Sequence, residues 1–157
     1  MSYIKRVLDW LSVSDKNKTK EFKLPSKEKW DLYRGLMEEE LDEGEVALNN
    51  KDEIEFRDAI IDQFYIFCNI MYFSGYTLEM FEKDFKEIEK SNWSKYCKNA
   101  KEAIETVKLY KEGRHPDKIG KNIDCYIEAV SEDLWIVRRS SDNKIMKSYL
   151  YKPAKLK

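Results

Sequence analysis

Apolar residues recur at helical spacing through about the first ninety residues of the chain. Ile4, Val7, Leu8 and Leu11 share one face of a short first helix. Longer amphipathic segments follow, and each begins after a residue type that is favoured at a helix N-cap. The pattern predicts four helices, over about residues 3–11, 27–49, 53–74 and 78–91, with Ser26, Asp52 and Thr77 as caps of the last three.

The pattern changes after Ser91. Asn99 and Glu102 form a capping-box signature that predicts a helix over residues 99–112, and Gly113 ends it. Strand-like runs then alternate with turns, which predicts a small antiparallel β-meander over residues 123–149. We therefore expect a mainly α fold, with a four-helix core in residues 1–96 and a helix plus β appendage of the same domain in residues 97–157.

Charge and composition exclude several classes of protein. The chain carries 30 acidic residues against 29 lysines and arginines, so no net positive field favours binding to a nucleic acid polymer or an anionic membrane. No run approaches the ~18 apolar residues of a membrane span. The three cysteines, Cys68, Cys97 and Cys125, form no C-x-x-C pair and are expected to be buried free thiols, as in a reduced cytoplasmic protein.

Acidic residues occupy apolar-face positions on the second predicted helix. Tyr33 and Leu36 define that face, and the same spacing of three and four residues leads to Glu40, Glu43 and Ala47. Carboxylates directed toward a low-dielectric interior need a counter-charge, because burial disfavours their ionised form. The third predicted helix repeats the pattern with Glu55, Asp58, Asp62 and Tyr65.

A divalent cation would supply the missing counter-charge. Arg34 and Arg57 are the only arginines nearby, which is too few for so many acids. Facing helices of bundles hold metal ions with inward glutamates, and ligand sets made only of oxygen favour magnesium, manganese or calcium over zinc. The alternative is that these helices simply present a solvated acidic face.

The acids resemble the motif of the all-α nucleoside triphosphate pyrophosphatase superfamily, which includes MazG-like proteins, dimeric dUTPases and phosphoribosyl-ATP pyrophosphatases. The superfamily pattern is E-x-x-E followed by E-x-x-D. Here it reads as Glu40 to Glu43 and then Glu55 to Asp58, and Asp62 matches a further acid of the phage and bacterial subgroup. The resemblance implies a MazG-like four-helix bundle in which Glu40, Glu43, Glu55 and Asp58 hold Mg²⁺, or alternatively Mn²⁺.

Two downstream strings extend the resemblance over most of the chain. Residues 91–95, SNWSK, are similar to an S-N-x-S-K string of the subgroup, in which Asn92 and Lys95 would meet the nucleotide phosphates. The ending DNKIMKSYLYKPAKL is similar to D-G-K-x-x-K-x-x-x-Y-x-P, with Lys147 as a weaker phosphate contact. Gly44 and Asn143 depart from the usual Leu and Gly of these patterns.

The implied reaction is hydrolysis of a nucleoside triphosphate, expected to be a deoxynucleotide, to the monophosphate and pyrophosphate. Glu43 or Asp62 would align or deprotonate the attacking water. The resemblance also implies a homodimer or a dimer of dimers. The alternative is a protein on the same fold that binds or sequesters a nucleotide without turnover. His115 is expected to be structural or solvated, and Trp10, Trp30, Tyr33 and Phe64 are expected to pack in the core more readily than to stack on a base.

Overall fold

The computed structural model describes residues 2–14 and 21–156. Its elements confirm a mainly α chain with a small antiparallel sheet. The helices and strands in this part of the chain are α1 (Tyr3–Ser14), α2 (Lys27–Asn50), α3 (Glu53–Ser74), α4 (Leu78–Trp93), α5 (Ala100–Lys111), β1 (Cys125–Ser131) and β2 (Leu134–Arg139). None of the described helices is both long and apolar enough to cross a membrane.

The predicted caps form at the helix ends. The Ser26 hydroxyl accepts from the Lys29 N–H at 3.3 Å, and the Asp52 carboxylate accepts from two N–H groups of the first turn of α3. The Asn99 side chain accepts from the Glu102 N–H at 2.9 Å. Gly75 ends α3 in the left-handed conformation, with φ of 69°. Each cap satisfies backbone groups that have no partner within the helix, so the local sequence sets these boundaries.

The chain divides into two compact units, Met1–Glu82 and Lys83–Lys157. This boundary lies inside α4, whereas the sequence placed the end of the helical core at residue 96.

The first unit is organised around the helical hairpin of α2 and α3. Lys51, in the left-handed region with φ of 57°, turns the chain between the two helices. α1 packs on α3 through a small apolar cluster of Val7, Leu11, Cys68 and Tyr72. Many other large apolar side chains of α2 and α3 remain exposed, including Leu41, Val46, Leu48, Ile54, Ile60 and Ile61.

The second unit packs α5 against the β1–β2 hairpin. Its core is formed by Cys97, Ala103, Tyr110, Cys125, Val137 and Met146. The strands are antiparallel, with Cys125 opposite Arg139 and Ile127 opposite Val137.

All three cysteines of the chain are free and buried, which confirms their predicted burial. Burial raises the pKa of the Cys68 thiol, in α3, to about 11.

The predicted third strand of the meander is wrong. Residues 144–151 make one isolated bridge, between Ile145 and Arg138, and then leave the sheet. The Ser148 N–H donates instead to the Lys95 carbonyl at 2.8 Å, and the Ser148 hydroxyl bonds to the Glu102 carboxylate. The alternating composition of this segment reflects its attachment to the start of α5 and the residues before it, not strand pairing.

Candidate functional site

Small residues bring α2 and α3 close together. Ala47 and Ala59 are each 3% exposed, and a Cβ added to buried Gly44 would lie 3.7 Å from the Ala59 Cβ. Glu43 precedes Gly44, and Asp58 precedes Ala59. The acids of the two motifs therefore flank the line along which the helices touch. Gly44, which stands where the superfamily pattern usually has Leu, lies at this contact.

We use the term acidic cluster for the five predicted acids Glu40, Glu43, Glu55, Asp58 and Asp62. Glu40 is its least exposed member, and its Oε2 atom is buried with no hydrogen-bond partner in the described part of the chain. Desolvation raises the pKa of Glu40, and the charges of Glu43, Asp62 and Asp58 raise it further. Acids from both helices thus lie close enough to Glu40 to act on its ionisation.

Glu55 joins the cluster through a different neighbour. Glu43 and Glu55 line one open cavity of about 450 Å³ between the end of α2 and the start of α3. Asp52 lines it too, but its carboxylate is already occupied in capping α3. Glu43 is therefore shared between the group around Glu40 and the cavity that contains Glu55.

The acidic cluster has no basic ion-pair partner among the described residues. Within residues 2–14 and 21–156, none of the five acids forms an ion pair, and Arg34 bonds to Glu38 at 2.9 Å instead. The same residues contain no group of three or more histidine, cysteine or acidic side chains already arranged to hold a metal ion. Glu43, Glu55, Asp58 and Asp62 are exposed. An unpaired buried carboxylate oxygen among further carboxylates suits a hard divalent cation.

The residues predicted to meet phosphates lie in the second unit. The Lys95 amine donates to the Asn92 side-chain oxygen at 2.7 Å, so the two form a pair. The Lys147 amine bonds to Asp117 at 2.6 Å and lies 4.4 Å from the centre of the Tyr151 ring. A phosphate would have to compete with Asp117 for Lys147, whereas Lys95 has only a neutral partner.

The serines of the SNWSK string have a structural role that the sequence did not predict. The Ser91 hydroxyl bonds to the Tyr151 hydroxyl at 3.1 Å, and the Ser94 hydroxyl accepts from the Lys152 N–H at 2.9 Å. The two downstream strings that carry the resemblance are therefore in contact with each other. Their separation of 58 residues along the chain hides this contact from local patterns.

The histidine and the aromatic residues divide between core and surface. His115 is 2% exposed and stacks on Tyr110 with ring centroids 3.8 Å apart, which confirms a structural position. Tyr33 and Phe64 are half-buried. The prediction of core packing is wrong for two of the set, since Trp10 and Trp30 are 57% and 47% exposed.

Comparison of the chain with models of known protein families, with curated proteins and with solved structures gives no match.

Proposed function

We propose that the protein is a divalent-cation-dependent nucleoside triphosphate pyrophosphatase, with a deoxynucleotide as the expected substrate. The observation that carries the proposal is the unpartnered buried Oε2 of Glu40 beside Glu43, Asp58 and Asp62, with no basic side chain paired to them in the described residues. Burying the Glu40 carboxylate next to other acids disfavours its ionised form unless a positive charge binds there. The E-x-x-E and E-x-x-D motifs and the SNWSK string supply the reaction class.

Each residue of the proposed site has a part that its chemistry suits. Glu40, Glu43, Glu55 and Asp58 would hold Mg²⁺ or Mn²⁺, which when bound neutralises triphosphate charge and polarises the phosphoryl oxygens. Glu43 or Asp62 would orient the attacking water and accept its proton. The Asn92 amide and the Lys95 ammonium would donate to phosphate oxygens. The products would be the nucleoside monophosphate and pyrophosphate.

A MazG-like bundle would also account for the exposed apolar residues of the first unit. The superfamily resemblance favours a homodimer or a dimer of dimers. Ile60 and Ile61 are 50% and 54% exposed on α3, and Val46 is 58% exposed on α2. Large apolar side chains exposed on a helical hairpin are often found at protein interfaces. We propose that a second copy of the chain covers it.

A second candidate function is nucleotide binding without turnover. The exposure of Glu43, Glu55, Asp58 and Asp62, and the lack of a ready-formed metal-binding group in the described residues, favour it. Such a protein would bind the nucleotide but release no pyrophosphate.

The test is pyrophosphate release from a panel of the common ribonucleoside and deoxyribonucleoside triphosphates, with and without MgCl₂. Glu43→Gln and Asp58→Asn should each lower turnover of the best substrate by about 10² or more, because both remove a negative charge from the site at nearly constant shape. Glu45→Gln is the matched control, since Glu45 lies two positions from Glu43 and therefore on another side of α2.

Three outcomes are informative. Magnesium-dependent release that the two cluster variants abolish and Glu45→Gln preserves would support the enzyme. Binding of triphosphates without release of pyrophosphate would favour the second candidate. Equal activity in all three variants would refute the assignment of the acidic cluster.

A further inference from the structure

The second unit contains a cavity that the proposed reaction does not use. It measures about 570 Å³ and lies between the end of α4, the start of α5 and the segment around residue 150. Pockets for small ligands typically measure about 300–1,000 Å³, so this cavity is large enough for one such molecule. Its wall combines three lysines, Lys90, Lys98 and Lys152, with the exposed ring of Trp93 and the half-buried ring of Tyr96.

The three lysines line a cavity whose wall is otherwise mostly apolar. Neither Lys98 nor Lys152 pairs with an acid anywhere in the described residues, and Lys90 is 3.7 Å from Glu87. Glu102 also lines the wall, but its two oxygens accept from the Lys98 N–H and from the Ser148 hydroxyl. The acid is thus engaged in holding the backbone, whereas two ammonium groups remain available to an anion.

Trp93 supplies a flat apolar surface beside these charges. Its side chain is 58% exposed although it is large and apolar. The Tyr96 ring meets it at 5.6 Å and 65°, so Tyr96 does not stack in parallel on a face of the indole. An aromatic ligand could stack on that face, as bases stack on aromatic side chains in nucleotide-binding proteins.

The frame around the cavity is fixed by hydrogen bonds between distant parts of the second unit. The Lys152 N–H donates to the Ser94 hydroxyl at 2.9 Å, and the Ser148 N–H donates to the Lys95 carbonyl at 2.8 Å. These bonds hold the C-terminal segment with Lys152 beside the segment that contains Trp93 and Lys98. They fix the backbone that carries the ring and the two cations, which lowers the entropy that a bound ligand would cost.

We propose that this cavity binds a single nucleotide, with the base stacked on Trp93 and the phosphates paired with Lys98 and Lys152. A purely aliphatic ligand would leave the lysines unused, and a simple anion would leave the indole unused. The overall charge of -1 argues against a nucleic acid polymer, which needs a broad basic surface. The residues that line the cavity all belong to the second unit, so this binding requires neither the acidic cluster nor a metal ion.

The test is a calorimetric titration of the full chain with ADP in EDTA, which removes divalent cations from the acidic cluster. Saturable binding should appear, and Trp93→Ala and the double variant Lys98→Gln/Lys152→Gln should each raise the dissociation constant at least about tenfold. The double variant Glu43→Gln/Asp58→Asn should bind ADP like the unmodified chain. That result separates this proposal from the proposed pyrophosphatase, since either can fail alone.

The chain offers close controls for both variants. Trp10 is 57% exposed and also contacts a tyrosine edge-on, so Trp10→Ala removes an equivalent ring in the first unit. Lys101→Gln/Lys108→Gln removes two exposed charges of α5 that do not line the cavity. Both controls should leave ADP binding unchanged, and circular dichroism should show all variants folded.

Component ligands test the two halves of the proposal. Adenosine and inorganic pyrophosphate should each bind more weakly than ADP, adenosine losing its affinity in Trp93→Ala and pyrophosphate in the double lysine variant. Absence of ADP binding at millimolar concentration would overturn the proposal, as would equal loss in the controls. Tighter binding of a decathymidylate, lost in the same variants, would overturn it by assigning the surface to single-stranded nucleic acid.

Discussion

The two units bury their apolar residues to very different degrees. In the second unit, Tyr110 and Val137 are 0% and 1% exposed around one core, and polar groups such as Thr106 are buried there with hydrogen-bond partners. In the first unit, α2 and α3 meet through Gly44 and Ala59, and side chains as large as Ile61 face outward. The second unit encloses an apolar core, whereas the described residues of the first unit leave many large apolar side chains and acids exposed.

The largest expected effect tests the stability side of this comparison. Tyr110→Ala should lower the free energy of unfolding by about 3–5 kcal/mol, because it removes a fully buried ring and its hydroxyl bond to the Lys147 carbonyl. Tyr65→Ala in the first unit removes a ring that is 40% exposed and should cost less than about 1 kcal/mol. Urea denaturation followed by circular dichroism measures both, and equal losses would contradict the difference between the units.

A charge on the apolar surface tests whether a second copy covers the first unit. Ile61→Lys should weaken self-association by at least about tenfold, since a buried lysine at an interface lacks a partner. Ile104→Lys is the control, because Ile104 is 60% exposed in the second unit against 54% for Ile61. Light scattering across a dilution series measures the molar mass of each variant and therefore its degree of self-association. A monomeric unmodified chain at high concentration would disprove the dimer.

The glycines should respond with opposite signs in the two units. Gly44→Ala is expected to stabilise the protein by about 0.5–1 kcal/mol, because alanine favours the helix and its Cβ would meet Ala59 at an ordinary 3.7 Å. Gly113→Ala should destabilise it by about 1–2 kcal/mol, since Gly113 has φ of +66° and an added Cβ would lie 2.7 Å from the Asn122 Oδ1.

Gly35→Ala separates the two contributions in α2, because a Cβ at Gly35 would have nothing within 4 Å. If Gly35→Ala and Gly44→Ala stabilise the protein equally, the stabilisation at Gly44 comes from helix propensity alone. A loss at Gly44 would mean that α2 and α3 approach more closely than the structure shows. Thermal melting of the three variants is sufficient.

The smallest effect concerns pH. Burial lowers the pKa of His115 below its ordinary 6.5, so the unfolded chain binds more protons than the folded one below that pH. The stability that this group contributes is therefore lost as pH falls from 6.5 through the lowered folded value. The contribution of Glu40 to the pH dependence of stability has the opposite sign. Because its pKa is raised in the folded chain, the stability that it contributes falls as pH rises above 4.5.

His115→Phe keeps a ring against Tyr110 and removes the titration. The free energy of unfolding should then change less between about pH 7.5 and pH 5.5 than in the unmodified chain. Urea titrations at these two values give the comparison. An unchanged slope would show that another group titrates in this range.

Local signals in the sequence predicted the helices and their ends. Ser26, Asp52 and Asn99 form the expected caps because a cap depends on residues within one turn. The third strand was wrong because the partners of Ser148 are Lys95 and Glu102, which no short window contains. Long-range attachment prevailed over the strand-like composition of that segment.

The candidate site divides in the same way. Periodicity placed the acids on the two helices that pack together, but it could not show that Glu40 alone would have a buried oxygen without a partner. In the sequence Gly44 was only a departure from the usual Leu, whereas in the structure it lies at the contact with Ala59. The sequence did not predict the cavity beside Trp93, Lys98 and Lys152, because bonds between residues far apart in the chain, such as that of the Lys152 N–H to the Ser94 hydroxyl, bring its walls together.

The attachment of residues 145–152 has a consequence for synthesis. The contacts within the first unit are complete once Glu82 has been made, so α1 to α3 can fold while translation continues. The second unit is fully packed only after two late hydrogen bonds form. In these, the Met146 N–H donates to the Val137 carbonyl and the Lys152 N–H donates to the Ser94 hydroxyl. The nascent strands β1 and β2 must therefore wait for residues made later, with their apolar faces incompletely covered. This interval is where we expect the growing chain to be most prone to aggregation and most dependent on chaperones.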